Sequence, residues 1–124
     1  MTIADTDVLI DYLKGKGLHE RIAFEIKTGK LATTAISAFE LWVGCRSEKE
    51  LDSIKTLLSA LTIIPLTEKS AERSGEVKRI LDIEGQTIGM AESLIAGITL
   101  ENQGVLITRN KKHFERIKGL HLGQ

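Results

Sequence analysis

Short apolar segments of strand length alternate with longer amphipathic segments of helix length along the whole chain. This alternation predicts an α/β fold in which a parallel sheet is covered by helices. We predict strands at residues 2–5, 31–34, 62–66 and 105–108, with a further short strand at 120–122. Helices are predicted at residues 7–14, 17–28, 37–46, 48–60, 68–84 and 90–102, with a short turn at 111–116.

The length and composition indicate one globular domain. At 124 residues, with 42% hydrophobic and 27% charged residues, the chain can bury a substantial core as a single domain over residues 1–124. Its apolar runs are far too short to span a bilayer, and the N-terminus has neither a basic stretch nor a signal-type apolar segment. We therefore expect a cytoplasmic protein with no membrane partner. The single cysteine, Cys45, excludes an internal disulfide.

The first fifteen residues hold the most informative motif of the chain. A short apolar strand ends on Asp5, Thr6 and Asp7 follow, and an amphipathic helix begins at once. In an open α/β sheet, ligands bind in the crevice beyond the carboxyl ends of the strands, where Asp5 would lie. Helix capping by Thr6 or Asp7 is the simpler interpretation, but it leaves the preceding carboxylate of Asp5 unexplained. Asp5 is therefore a candidate metal ligand.

Three more polar residues lie at corresponding ends of other predicted elements. Glu40 lies in the helix after the second strand, Glu92 lies early in a later helix, and Asn110 follows the strand that ends at Thr108. In a parallel sheet these side chains and that of Asp5 can converge on one edge. Carboxylates at close range repel one another unless a cation neutralises them, and oxygen ligands suit Mg²⁺ or Mn²⁺. The usual chemistry of such a site is phosphodiester hydrolysis by metal-activated water.

Each of these three positions also has a purely structural interpretation, which the sequence alone leaves open. The segment 37–40 reads Ser-Ala-Phe-Glu and matches a capping box, so Glu40 could reach back to the Ser37 amide. Glu92 could be a solvated acid in a first helical turn, where the helix dipole favours negative charge. Asn110 could be an ordinary turn residue.

Charge is distributed unevenly in a chain whose formal net charge is zero. Residues 1–13 contain Asp5, Asp7 and Asp11 but no basic residue, and we expect Asp11 to face solvent. Basic residues crowd the C-terminal segment: Arg109, Lys111, Lys112, Arg116 and Lys118. Such a stripe could hold phosphates even in a neutral protein, although a solvated surface explains it equally well.

The aromatic residues give no sign of a surface on which nucleic-acid bases stack. They make up only 4% of the chain, whereas proteins that bind single strands without sequence preference use several exposed rings. We expect Phe39 and Trp42 to lie in the core.

Four short motifs follow one another along the chain. They are Asp5–Asp11, Ser37–Leu41 with Gly44, Glu92–Ala96, and Thr108–Asn110 with Phe114. Together they resemble the PIN-domain family, and most closely the small single-domain ribonuclease toxins of VapBC toxin–antitoxin pairs. The resemblance covers essentially the whole chain, with the motifs in the family's order and at ordinary spacing.

The resemblance implies a three-layer α/β/α domain around a parallel sheet of strand order 3-2-1-4-5. It implies a Mg²⁺- or Mn²⁺-dependent endoribonuclease that acts on RNA, a cognate antitoxin that blocks its site, and a homodimer. By position it assigns metal-binding and catalytic roles to Asp5, Glu40, Glu92 and Asn110, with Thr6 and Asp7 in support. Candidate contacts to the RNA backbone are Arg46, Arg109, Lys111 and Lys112.

Two positions depart from the family's pattern. Glu92 stands where relatives usually carry Asp and is longer by one methylene, and Asn110 is neutral where many relatives carry Asp. Asp7, where relatives often carry Asn, restores part of the local negative charge. We therefore expect a metal site that is weaker than average. A PIN-fold module that binds RNA or protein without cutting is a corresponding alternative.

A second alternative is a phosphatase with an aspartate nucleophile, because Asp5-x-Asp7 after a strand resembles the opening motif of haloacid-dehalogenase-type enzymes. Such an enzyme needs an acidic pair after a later strand, whereas Asn110, Lys111 and Lys112 follow the strand at 105–108. The nuclease requires no histidine base, since a metal can lower the pKa of its own water. We accordingly expect His113 to be a surface residue of the terminal turn.

Overall fold

The centre of the fold is a parallel sheet whose strands are short. A computed structural model describes residues 1–123 of the chain. Its strands are β1 (Thr2–Ala4), β2 (Leu31–Thr34), β3 (Thr62–Ile64), β4 (Val105–Ile107) and β5 (His121–Leu122). They form one five-stranded sheet in the order β3-β2-β1-β4-β5, and every neighbouring pair is parallel. The strand order implied by the family resemblance is therefore confirmed.

Helices cover both faces of the sheet, which confirms the predicted three-layer architecture. Within residues 1–123 they are α1 (Thr6–Leu13), α2 (His19–Lys27), α3 (Ala35–Val43), α4 (Glu48–Ser59), α5 (Glu68–Ile83), α6 (Met90–Glu101) and α7 (Lys111–Phe114). No helix in this part of the chain is both long enough and apolar enough to cross a membrane.

The two layers of core follow from the pleat of the central strands. Successive side chains of a strand point to opposite faces, so Ile3 and Leu106 pack on one side of the sheet and Ala4 and Ile107 on the other. The first side is closed mainly by α5 and α6, and the second by α1, α2 and α4. Burial on both faces explains why these strands read as apolar runs without alternation.

Capping residues set the starts of two helices that border the sheet edge. Asp5 Oδ1 accepts a hydrogen bond from the Thr6 amide at 2.8 Å, so α1 begins one residue earlier than predicted. The prediction that Thr6 or Asp7 caps this helix is therefore wrong. Thr34 Oγ1 accepts from the Ser37 amide at 3.1 Å, so α3 begins at Ala35 and not at the predicted residue 37.

The inward face of α3 is formed by Ser37 and Leu41, which are both buried. Phe39 is two positions from each of them, and its side chain is 65% exposed; Trp42 is 39% exposed. The prediction that Phe39 and Trp42 lie in the core is therefore wrong, because the helical period turns them away from the sheet.

Close packing of α5 against α6 fixes the helix that carries Glu92. A Cβ added at Gly97 would lie 1.9 Å from Ser74 Oγ and 2.8 Å from the Ser70 carbonyl oxygen. Only glycine lets the two helices approach this closely. The N-terminus of α6, and with it Glu92, is thereby held against the rest of the domain.

The register of the sheet places the carboxyl ends of β1 and β4 side by side. Ala4 of β1 pairs with Ile107 of β4, so the residues that follow them, Asp5 and Thr108, leave the sheet side by side. The Asp5 amide extends this pairing by donating to the Ile107 carbonyl oxygen at 2.9 Å. The carboxyl edge of the sheet therefore begins with a carboxylate next to a hydroxyl.

Candidate active site

Asp5 is a buried carboxylate with no basic partner among residues 1–123. Its exposed fraction is 7%. Oδ1 accepts from the Thr6 amide at 2.8 Å, and Oδ2 accepts from the Thr108 hydroxyl at 2.7 Å. Both oxygens are therefore oriented by neutral donors, each of which comes from the end of a strand or the start of a helix.

Burial raises the pKa of Asp5, since a charged carboxylate loses its hydration there. The hydrogen bonds from Thr108 and Thr6 act in the opposite direction, while the negative charges of Asp7 and Glu40 raise the pKa further. Ion pairs among residues 1–123 include neither Asp5 nor Glu40. These two side chains, the acidic pair, therefore concentrate negative charge without a side-chain cation to offset it.

Glu40 belongs to the site and does not cap its helix. Thr6 donates its hydroxyl to Glu40 Oε1 at 2.5 Å, and the same hydroxyl oxygen lies 2.9 Å from Ser37 Oγ. The Ser37 amide donates its hydrogen bond to Thr34 Oγ1, so it does not donate to the Glu40 carboxylate. Of the two interpretations that the sequence left open for Glu40, the capping box is thus the one that the structure contradicts.

A second group of side chains, the Glu92 cluster, consists of Glu92, Asn110 and His113. Glu92 Oε1 accepts from the Gly89 amide at 3.0 Å, as expected for an acid in a first helical turn. Its other oxygen, Oε2, accepts from the Asn110 side-chain amide and lies 2.9 Å from His113 Nδ1. Glu92 is therefore not simply solvated, and Asn110 does more than form a turn.

His113 is the residue of this cluster that the sequence interpretation missed. It is half-buried, and its Nδ1 atom lies 2.9 Å from Asn110 Nδ2 as well as 2.9 Å from Glu92 Oε2. The prediction that His113 is a surface residue of the terminal turn agrees with its 40% exposed side chain, but it did not include the contacts with Glu92 and Asn110. The available signal was its position three residues after Asn110, on the same side of a helical turn.

Thr108 joins the acidic pair to the Glu92 cluster. Its hydroxyl donates to Asp5 and accepts from the Asn110 amide at 2.9 Å. A continuous line of hydrogen bonds, partly through backbone, therefore runs from Glu40 through Thr6, Asp5, Thr108 and Asn110 to Glu92. All four residues that the resemblance assigned to the metal site lie on it. The sequence interpretation left Thr108 out of the site, although the sheet register makes it the neighbour of Asp5.

The donors present are those that a hard divalent cation prefers, namely carboxylate and amide oxygens. Within residues 1–123, no three His, Cys, Asp or Glu side chains are grouped closely enough to hold an ion between them. The buried charge of Asp5 and the charge of half-buried Glu40 repel each other and nevertheless fit a cation, because a cation would stabilise both. The chemistry of the donor set and its uncompensated charge therefore suit Mg²⁺ or Mn²⁺.

Arg109 forms ion pairs with acidic residues of α1. Its Nε lies 3.2 Å from Asp11 Oδ2, and its Nη2 lies 3.7 Å from Asp7 Oδ1. The side chain of Asp11 is only 16% exposed, so the prediction that Asp11 faces solvent is wrong. Lys111 and Lys112 are exposed on α7, between Asn110 and His113 in sequence.

A groove of about 650 Å³ is lined in part by Glu40. We call it the α1–α3–α4 groove. Its walls are mainly apolar, and three basic side chains and two acidic ones, Glu40 and Glu50, also line it. The apolar lining is contributed by Ile10, Leu13, Leu41 and Ile54, and the basic side chains are Lys14, Arg46 and Lys49.

Comparison with known proteins agrees with this arrangement. The family model described as "PIN domain" matches residues 2–120. The chain belongs to the PIN-domain family. One relative is the tRNA(fMet)-specific endonuclease VapC of Salmonella typhimurium, 27% identical over 122 residues, which are 95% of this chain and 92% of that protein. Another is Ribonuclease VapC10 of Mycobacterium tuberculosis, 31% identical over 121 residues, with 97% and 90% covered.

Among solved structures, this PIN domain is similar to DNA-bound VapBC from Salmonella typhimurium. The TM-score is 0.89 at 27% identity, and the match covers 98% of this chain and 96% of that one. The likeness spans all the elements that carry the acidic pair and the Glu92 cluster. The site thus lies in the part of the fold that the two structures share.

Proposed function

We propose that this PIN domain is a divalent-metal-dependent endoribonuclease and the toxin of a toxin–antitoxin pair. The observation that carries the proposal is the hydrogen-bonded line that links Asp5, Glu40, Asn110 and Glu92 at the carboxyl edge of the sheet. The relatives that are ribonucleases by name support the reaction class. A neighbour that is a VapBC complex supports the partner.

In this proposal Asp5 and Glu40 hold the cation, together with Glu92 and Asn110. Mg²⁺ or Mn²⁺, when bound there, supplies activation of water and stabilisation of negative charge on the leaving oxygen. Thr6 and Thr108 orient the carboxylate oxygens toward the site by donating hydrogen bonds to them. Burial of Asp5 excludes water from its far side and strengthens its interaction with a cation.

Lys111 and Lys112 are the proposed contacts to the RNA backbone. Both are exposed, and they start the helix that carries His113. A backbone phosphate beside the Glu92 cluster would lie within reach of an ammonium group, which positions RNA without reading its sequence. Arg109 contributes less, because Asp7 and Asp11 already offset its charge. Arg46 lines the α1–α3–α4 groove.

The α1–α3–α4 groove is the proposed seat of the antitoxin. An amphipathic segment with an apolar face and acidic flanks matches its apolar walls and its basic side chains, which outnumber the acidic Glu40 and Glu50. Because Glu40 lines the same groove, a segment lying in it would also cover one end of the acidic pair. Binding and inhibition would then be a single event.

A homodimer is also proposed, and the exposed apolar surface of α3 supports it. Phe39 and Val43 lie four residues apart, and their exposed fractions are 65% and 67%. Side chains at this spacing form one stripe on a helix. Light scattering of the free protein tests this point: Phe39→Ser should shift a dimer to monomer, and a wild-type protein that is already monomeric would refute it.

The first competing function is a PIN domain that binds RNA without cutting it. Glu92 favours it, because Asn110 and His113 both engage the carboxylate that a cation would need. A phosphatase that forms a phosphoaspartate on Asp5 is the other competitor. The family match disfavours the phosphatase, because the PIN-domain model accounts for residues 2–120 and is not a phosphatase family.

RNA cleavage by the purified, antitoxin-free protein separates these possibilities. Cleavage should occur with Mn²⁺ and Mg²⁺, stop with chelator, and be lost in Asp5→Asn. The matched control is Asp52→Asn, the same chemical change at an exposed position of α4, which should cleave normally. Cleavage by Asp5→Asn, or cleavage in chelator, would overturn the proposal. RNA binding without cleavage under all metal conditions would favour the non-cutting module.

A further inference from the structure

A carboxylate, a side-chain amide and an imidazole converge in the Glu92 cluster, and the imidazole presents a ring nitrogen to the other two groups. His113 Nδ1 lies 2.9 Å from Glu92 Oε2, 3.1 Å from Glu92 Oε1 and 2.9 Å from Asn110 Nδ2. The imidazole therefore turns its Nδ1 edge toward Glu92 and Asn110, two residues of the proposed metal site.

The spacing of these donors suits a shared ion. An octahedral ion with bonds of about 2.1 Å places neighbouring ligand atoms about 3.0 Å apart. The separations between His113 Nδ1 and the two oxygens of Glu92 are already of this size. A half-turn of the Asn110 side-chain amide would present its oxygen in place of its nitrogen. The Asn110 amide and Glu92 Oε2 lie closer together than this spacing, so these two side chains must move apart for all three to occupy adjacent positions of one coordination shell.

We propose that His113 is a nitrogen ligand of the metal centre, beside Glu92 and Asn110, and that it makes this centre prefer Mn²⁺ over Mg²⁺. The inference rests on the proposed metal-dependent function. Mg²⁺ binds carboxylates, phosphates and water, whereas imidazole nitrogen is a good ligand for first-row transition ions. His113 therefore increases the affinity for Mn²⁺ and adds little to the affinity for Mg²⁺.

The same residue accounts for the two departures at positions 92 and 110. Asn110 supplies no negative charge, so the centre has one charged donor fewer than an all-carboxylate site. A neutral imidazole restores a donor without restoring the charge. The longer side chain of Glu92 brings its carboxylate within contact of His113 Nδ1, which lies on α7.

Pulsed electron paramagnetic resonance on Mn²⁺-loaded, untagged protein tests the ligand directly. Wild type should show nitrogen coupling typical of coordinated imidazole, and labelling the histidines with ¹⁵N should change that signal. His113→Gln should abolish it. His121→Gln, an exposed histidine on β5, is the matched control and should retain it. Labelling restricted to histidine separates the imidazole from amide nitrogens.

Affinity provides a second readout. Calorimetry should find that His113→Gln weakens Mn²⁺ binding by about tenfold or more, since even outer partners of metal ligands change affinity 10- to 100-fold. Mg²⁺ binding should change by much less. If Mn²⁺ binds tightly but shows no histidine coupling, the inference is overturned and the proposed nuclease stands. If Mn²⁺ does not bind the wild-type protein at all, the metal-dependent function and this inference are both overturned.

Discussion

The Thr108 hydroxyl donates a hydrogen bond of 2.7 Å to Asp5 Oδ2, although 103 residues separate the two in sequence. The contact exists because β1 and β4 are neighbours in register, so that both residues leave the sheet at the same point. The same hydroxyl oxygen accepts from the Asn110 amide. One side chain thus fixes the orientation of the buried carboxylate and the start of the segment that carries the Glu92 cluster.

Replacing Thr108 by Val should therefore reduce RNA cleavage without unfolding the protein. Val keeps the shape but removes both hydrogen bonds of the hydroxyl, so we expect a loss of about 10- to 100-fold, the range found for outer partners of metal ligands. Stability should fall by about 1–3 kcal/mol because the Asn110 amide loses its partner. Thr108→Ser, which retains the hydroxyl, should recover most of the activity. Full activity of Thr108→Val in single-turnover cleavage would show that this hydroxyl does not serve the site.

Asp5→Asn should change the pH dependence of stability in metal-free buffer. The folded-state pKa of Asp5 is raised, chiefly by burial, so the folded state favours the protonated carboxyl. Its contribution to stability is present below the unfolded pKa and is lost as pH rises through the folded pKa. Asn cannot ionise. The melting temperature of the variant minus that of wild type should therefore be larger at pH 8 than at pH 4. Thermal melts with chelator measure this, and a difference that is equal at both pH values would contradict it.

Adding Mn²⁺ should stabilise the wild-type protein, in contrast to the loss of stability that ionisation of Asp5 causes in metal-free buffer. An ion that binds only the folded protein stabilises it by about 2.7 kcal/mol at a concentration one hundred times its dissociation constant. Mn²⁺ should therefore raise the melting temperature of wild type and leave that of Asp5→Asn almost unchanged, while Asp52→Asn should behave as wild type. An equal rise in all three proteins would place the binding site away from Asp5.

Local patterns in the sequence were reliable guides to the alternation of strands and helices, but not to the partners of polar side chains. The segment Ser37–Glu40 has the spacing of a capping box, yet Thr6, 34 residues from Glu40, is the group that binds the carboxylate. Asp11 was assigned to solvent, and the contact between His113 and Glu92 was missed, because the partners of both residues lie on other elements. Such pairings depend on sheet register, which no local spacing encodes.

The family resemblance supplied what local patterns could not. It gave the strand order and brought Asp5, Glu40, Glu92 and Asn110 together, and the structure confirms the order and connects all four by hydrogen bonds. The resemblance assigned no role in the site to Thr108 or His113. Their side chains complete this particular site, so only the three-dimensional arrangement identifies them.

Two glycines on the packed helix pair should respond oppositely to alanine. Gly97→Ala places a methyl group against the backbone of α5 and should destabilise by about 2–3 kcal/mol or more, as overpacking does. Gly75→Ala adds a methyl group with nothing within 4 Å, so better helix propensity should stabilise by about 0.5–1 kcal/mol. Urea unfolding measures both. Equal effects of the two substitutions would mean that α5 and α6 are less closely packed than described.

Neutralising the exposed lysines of α7 should weaken RNA binding in a salt-dependent way. On single-stranded RNA each phosphate contact contributes about 0.7 to the slope of log affinity against log salt concentration, so Lys111→Gln and Lys112→Gln should each reduce the slope by about that amount. Arg109→Gln should have a smaller effect, because Asp7 and Asp11 already offset the guanidinium charge. Binding is measured on catalytically silent Asp5→Asn protein to avoid cleavage. If Arg109→Gln reduces the slope as much as either lysine variant, RNA must displace the ion pairs with α1, and the binding path runs over α1 as well as α7.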